Sequence, residues 1–210
     1  MIDKNSPEWR LGRFAEFKIG DWFRSAGVYT IATADIESHG GAPLIESQYK
    51  KLAVMDLQVS RDGSMACVEI KYKKAPVQFR KFSSWRHGID ESKWNAYQEI
   101  EKITGIHSYL CFYQERPERE APEAPMILLA DFETLREQVI FEKGGRGGSV
   151  AMAYWDIDQT PFLVFPDNGS GKPRIQTVHR EIRPWDRPAR DGTLPRENFL
   201  VKKKAQGSLF

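Results

Sequence analysis

The sequence predicts an α/β fold, a mixed β-sheet flanked by helices. Three observations predict it. Residues 7–26 repeat apolar side chains at helical spacing between a start and a stop signal, and a β-branched run follows at once. Residues 52–72 form two apolar runs around Arg61-Asp62-Gly63, the pattern of an antiparallel hairpin. Residues 90–104 repeat the helical period and lead straight into another apolar strand, an alternation that places helices against a sheet.

The first helix opens at Ser6-Pro7-Glu8, which supplies a capping hydroxyl, a proline preset for the first helical position and an acid in the first turn. Leu11, Phe14, Ala15, Ile19, Trp22 and Phe23 form its apolar stripe, and Gly27 stops it. Val28–Thr33 reads as a strand. Residues 34–51, with His39-Gly40-Gly41 and Pro43, read as a long loop ahead of the hairpin, of the kind that often carries function. His39 reads as a surface residue of that loop. Asp90 is the expected N-cap of the second helix, Trp94, Tyr97, Ile100 and Ile103 its apolar stripe, and Gly105 its stop. Ile106–Phe112 is the strand that follows. A Pro-rich connector over 115–125 leads to a strand over 126–130 and a short helix to Gln138. Gly144–Gly148 reads as a flexible loop; it lacks the Lys-Ser/Thr of a phosphate-binding P-loop. Residues 150–155 and 161–165 are expected to form a terminal β-hairpin. The expected organisation is a core over 1–165 and an irregular basic C-terminal extension over 166–210.

Length and composition fit this plan. A chain of 210 residues can bury one good core, and its apolar and aromatic content is that of a globular protein. The net charge of +2 excludes a strongly basic nucleic-acid coat. The two cysteines, Cys67 and Cys111, sit in apolar strands and read as buried thiols of a reducing compartment. No Cys/His spacing suggests zinc, and the four histidines are scattered among unrelated contexts. The N-terminus is polar and no apolar run approaches membrane-spanning length, so a soluble, cytoplasmic protein is expected, with no membrane partner.

The hairpin carries the chemistry. Asp56 interrupts the apolar start of one strand, after Leu52-Ala53-Val54-Met55, and Glu69 and Lys71 lie on the next, within Met65–Tyr72. Residues two apart on a strand share a face, so Glu69 and Lys71 project together while Ile70 joins Val68 on the other side. Glu-x-Lys is common on solvated strands, but two acids and a lysine in an apolar hairpin are unfavourable without a metal or substrate to neutralise them. Glu16, one turn after Gly12, is either a surface charge of its helix or a further acid of the same site.

Asp56…Glu69-x-Lys71 resembles the PD-(D/E)XK nuclease superfamily, which places an acid at the start of one strand and Glu-x-Lys on the next. The resemblance spans residues 7 to 114 and includes the Gly12-Arg13-x-x-Glu16 helix ahead of the sheet; Met55 stands where the name-giving proline would be. It implies a restriction-endonuclease-like fold and metal-dependent hydrolysis of DNA phosphodiesters, structure-specific in the manner of a resolvase. It implies Mg²⁺, with Mn²⁺ able to substitute, held by Asp56, Glu69, the Ile70 carbonyl and Glu16. Lys71 would orient the attacking water or stabilise transition-state charge. Tyr97 or Gln98, on the helix after the hairpin, would face the site. The alternative is a non-enzymatic DNA- or protein-binding member of the same fold. The partner expected is DNA, with a homodimer as a candidate assembly.

A basic, aromatic stretch follows the Lys71 strand. Lys73, Lys74, Arg80, Lys81 and Arg86 alternate with Tyr72, Phe79, Phe82 and Trp85. Such a stretch either contacts phosphates or forms a solvated loop packed on the sheet. Lys202-Lys203-Lys204 reads as a solvated tail.

Overall fold

The structure, a computed structural model, describes residues 6–33, 44–46, 51–79, 84–115, 125–144 and 150–166. Helix α1 (Pro7–Ser25) starts as its sequence dictates: the Ser6 hydroxyl accepts a hydrogen bond from Trp9 N at 3.2 Å, with Pro7 in the first turn. Strand β1 (Tyr29–Ala32) follows. The segment expected to be one long loop contains a small hairpin instead, β2 (Leu44–Glu46) paired with β3 (Lys51–Ala53). Leu52 and Ile45 turn inward there, which gives the hairpin a reason to form. His39 lies outside the described residues.

Strands β4 (Leu57–Arg61) and β5 (Ser64–Lys73) pair antiparallel around Asp62 and Gly63, both at positive φ (53° and 79°), the geometry of a two-residue hairpin turn. Strands β6 (Val77–Phe79) and β7 (Ser84–Asp90) come next, then α2 (Glu91–Thr104) and β8 (His107–Gln114). Asp90 is the N-cap of α2 without a side-chain capping bond, and Gly105 closes the helix at φ 65°. Strand β9 (Met126–Asp131) leads to α3 (Phe132–Gln138), where Asp131 Oδ1 accepts from Thr134 N at 2.7 Å. Strands β10 (Ile140–Gly144), β11 (Val150–Asp156) and β12 (Leu163–Pro166) complete the described chain.

The main sheet is mixed, in the order β1-β4-β5-β8-β9-β12; β5 and β8 run parallel and every other pair antiparallel. A second, antiparallel sheet has the order β10-β11-β7-β6. The expected terminal hairpin therefore does not form. Residues 150–155 pair with β10 and β7, whereas β12 crosses to the main sheet beside β9. Both runs are strands, as their composition requires, but their partners are distant in sequence.

The alternation along β5 sorts the interior into two cores. Ala66, Val68 and Ile70 face α1, packed with Ala15, Ile19 and Phe23. Cys67 points the other way, into a core with Trp94 and Ile100 of α2, Phe132 and Leu135 of α3, and Ala153 and Trp155 of the second sheet. Trp94 anchors that core against Phe132 and Trp155, at ring-centroid distances of 4.8 and 5.1 Å. Burying each such side chain contributes roughly 1.5–3 kcal/mol. Three residues of the expected stripes remain exposed: Leu11 and Phe14 on α1 and Ile103 on α2. Phe14 still packs edge-on to Tyr113, at 5.5 Å. Cys67 and Cys111 are buried free thiols; burial pushes Cys67 up to about 11 and also raises Cys111. Among the described residues no helix is long and apolar enough to cross a membrane.

Candidate active site

Asp56 precedes β4 by one residue, where the β4–β5 ladder has ended at Leu57↔Val68. The gap is closed by a side chain: Ile70 N donates to Asp56 Oδ2 at 2.8 Å. The two backbone polar groups of a strand residue face the same neighbour. The Ile70 carbonyl is therefore directed to the same gap. From below, Thr33 anchors the segment. Its hydroxyl lies 2.9 Å from Met55 O and 2.8 Å from Asp56 O, and its N–H donates to Asp56 O at 3.2 Å. Sequence reasoning missed Thr33, which is only a polar residue at the end of an apolar run until β1 pairs with β4.

Glu69 and Lys71 project from β5 toward α2, as the two-residue period requires. Glu69 is only 2% exposed. Its Oε1 accepts from the Lys71 ammonium and from the Tyr97 hydroxyl, the latter at 2.5 Å. Lys71 Nζ also lies 3.9 Å from Asp56 Oδ2, so one ammonium bridges the two acids, and it sits over the Tyr97 ring at 5.9 Å. Asp56 Oδ1 and Glu69 Oε2 accept no hydrogen bond among the described residues.

The electrostatics reflect this crowding. Loss of hydration raises the Asp56 carboxyl well above the usual carboxylate range; Glu69 adds to the rise, Lys71 opposes it and Glu16 adds again. Loss of hydration pulls the Lys71 ammonium down, but the Glu69 and Asp56 carboxylates outweigh it and hold Lys71 above the ordinary lysine value. Tyr97 is raised by burial and by Glu69, so it remains a protonated donor.

The structure brings together Asp56, Glu69, Lys71, the Ile70 backbone and Tyr97. Glu16 approaches from the opposite face. Its helix packs against Ala66, Val68 and Ile70, and Glu16 Oε2 accepts from Arg13 Nη1 at 2.6 Å, while its charge still acts on Asp56. Gln98 follows Tyr97 on α2, half-buried, and among the described residues no hydrogen bond joins it to Asp56, Glu69 or Lys71. Among the described residues, no three His, Cys, Asp or Glu side chains form a metal-holding group.

The basic stretch divides. Arg86 is 4% exposed, bonded to Glu142 at 3.2 Å and Ser84 at 3.0 Å, and stacked on Phe79 at 4.4 Å. This corrects the expectation that it contacts phosphate: its guanidinium is used inside the second sheet. Much of the expected loop is likewise strand, β6 and β7. Lys73 is half-buried, donating to Gly88 O at 2.5 Å, and burial with Lys71 nearby lowers it to about 8. Lys74 is exposed. Arg80, Lys81 and Lys202–Lys204 lie outside the described residues.

No family model and no curated relative matches this chain. Among solved structures it is similar to Archaeoglobus fulgidus Hjc, a Holliday junction resolvase from an archaeal hyperthermophile. The match has 12% sequence identity and a TM-score of 0.43, and covers 76% of this chain and 94% of that one. At that level the likeness assigns no activity.

Proposed function

We propose that this protein is a metal-dependent nuclease that hydrolyses DNA phosphodiester bonds. The observation that carries the reading is the Lys71 ammonium shared by Asp56 and Glu69 at the point where β4 leaves β5. The donor set fits a hard divalent cation. Asp56 Oδ1, Glu69 Oε2 and the Ile70 carbonyl are oxygens of the kind Mg²⁺ or Mn²⁺ takes, and such a cation offsets both the lost hydration and the Glu69 repulsion that raise Asp56. When bound, the metal supplies Lewis-acid polarisation of the phosphate and a water of lowered pKa.

The remaining work belongs to the chain. Asp56 is fixed by the Ile70 N–H, and its segment by Thr33, so its free oxygen is preoriented. Tyr97 holds Glu69 from α2. Lys71 stays charged and can face the negative charge that develops on the phosphoryl oxygens. Glu16 acts on Asp56 through space and strengthens the demand for a cation. A second reading, a DNA-binding protein without catalysis, is favoured by one observation: Glu69 Oε1 is already shared by Lys71 and Tyr97.

Cleavage of labelled junction, flap, duplex and single-stranded DNA, with an RNA arm, decides between them. Cleavage with Mg²⁺ or Mn²⁺ is expected, lost in chelator. Asp56→Ala, Glu69→Ala and Lys71→Ala should each lower it by about a hundredfold or more, with the circular dichroism of the fold kept. Full activity in Glu69→Ala refutes the assignment; binding without cleavage in the wild type selects the second reading.

A further inference from the structure

A cavity of about 430 Å³ opens beside the Lys71 strand, between the end of β5 and the second sheet. Its walls are of two kinds. Lys73 and Lys143 bring positive charge, Arg86 lines it with its guanidinium already paired with Glu142, and Val77, Phe79, Met152 and Tyr154 bring apolar and aromatic surface. The aromatic wall is built in. A Cβ at Gly88 would lie 2.4 Å from the Tyr154 ring, and one at Gly144 2.0 Å from its hydroxyl, so both positions need glycine for the ring to lie there. Phe79 meets Tyr154 edge-on at 4.9 Å. His87, also in the lining, is held by Gln114 at 2.6 Å and is kept neutral by its burial, so it adds no charge.

Lys73 is the link to the candidate active site. It shares the face of Glu69 and Lys71 and stands two residues beyond Lys71, about 7 Å along the strand. Among the described residues no carboxylate lies within ion-pair distance of Lys73, and its ammonium is held at the cavity by Gly88 O. A phosphate alone would need no aromatic or thioether wall. A paired base cannot lay its face on the wall of Phe79 and Tyr154, because it is stacked and hydrogen-bonded in the duplex. A cavity of this size with mixed cationic and aromatic lining suits a whole nucleotide, base and phosphate together.

We propose that the cavity beside Lys73 takes an unpaired nucleotide of the DNA strand, adjacent to the phosphate held at Asp56, Glu69 and Lys71; its position relative to the cut rests on the nuclease reading. The substrate class is then DNA with unpaired nucleotides at the cleavage point, since extruding a paired base adds an unfavourable step that an unpaired one avoids.

The test is equilibrium binding in chelator, where cleavage plays no part. Wild type is compared on a short single strand and on the same strand with central abasic positions, at one fixed salt concentration. The intact strand should bind about tenfold more tightly, as expected from loss of base contacts. Val77→Glu places a carboxylate at an exposed strand position in the cavity mouth, and Lys143→Glu reverses an exposed charge. Both should bring the intact-to-abasic ratio close to one. Lys102→Glu, an exposed charge reversal on α2, should leave the ratio as in wild type. Equal binding of the two strands by wild type, or an unchanged ratio in Val77→Glu and Lys143→Glu, overturns the proposal. Because the readout is binding, a collapsed ratio with no cleavage would leave the cavity standing and remove only the nuclease reading. Cleavage with an unchanged ratio would do the reverse.

Discussion

Ile70 N donates to Asp56 Oδ2 at 2.8 Å, so a carboxylate takes the place that the next residue of β4 would have held in the ladder. The sheet thereby ends in a charged group without leaving a backbone donor unpaired. The same contact brings Asp56 to the strand that carries Glu69 and Lys71.

Tyr97→Phe removes the hydroxyl that restrains Glu69 and leaves the ring in place. The expected loss of stability is about 1 kcal/mol, that of one hydrogen bond. On the proposed function, turnover should fall severalfold with KM nearly unchanged, because the hydroxyl positions Glu69 and is not assigned a contact with substrate. Denaturant titration and steady-state kinetics check the two halves; a KM effect alone would assign Tyr97 to substrate binding.

Divalent metal should stabilise the fold through Asp56 and Glu69. At a concentration near 100 times Kd the gain is about 2.7 kcal/mol, read as a rise in Tm. Glu69→Ala should abolish the Mg²⁺-dependent rise, and so should Asp56→Ala. Equal rises in wild type and both variants would place the metal elsewhere.

His87 should make the fold acid-sensitive. Burial lowers it from 6.5 to about 3, with the Gln114 bond opposing and Lys73 assisting. The folded state therefore holds His87 neutral where the unfolded chain protonates it. Its stabilising contribution is complete above pH 6.5 and is lost as pH falls toward 3. Urea unfolding at stepped pH should show stability declining across that window, with a shallower decline in His87→Gln.

Arg86 and the other basic residues of its stretch should behave differently. Arg86→Ala breaks the buried contacts to Glu142, Ser84 and Phe79 and should lower stability by about 2 kcal/mol. It should leave the salt dependence of DNA binding unchanged. Neutralising Lys74, Arg80 and Lys81 together should flatten that dependence by roughly 0.9 for each phosphate contact removed. An unaltered slope in the triple variant would mean these residues do not grip the backbone.

What was legible in the sequence was what short-range sterics and strand periodicity decide. Ser6-Pro7 and Gly105 mark helix ends because capping and positive φ are local requirements. Asp62-Gly63 makes the turn for the same reason, and once the turn is set the two-residue period places Glu69 with Lys71 and apart from Ile70. Which strands meet was decided only by tertiary structure. The runs 150–155 and 161–165 read as partners for each other, yet the strand of the first packs beside β7 and that of the second beside β9. Strand composition signals a half-buried surface and carries no address for the partner that buries it. The same holds for Arg86, which reads as a phosphate contact or a solvated cation until β7 and β10 carry it to Glu142, and for Tyr97, whose hydroxyl meets Glu69 only because α2 packs over β5's charged face. Charge and helical spacing are properties of a residue and its near neighbours; burial and ion pairing depend on segments far along the chain.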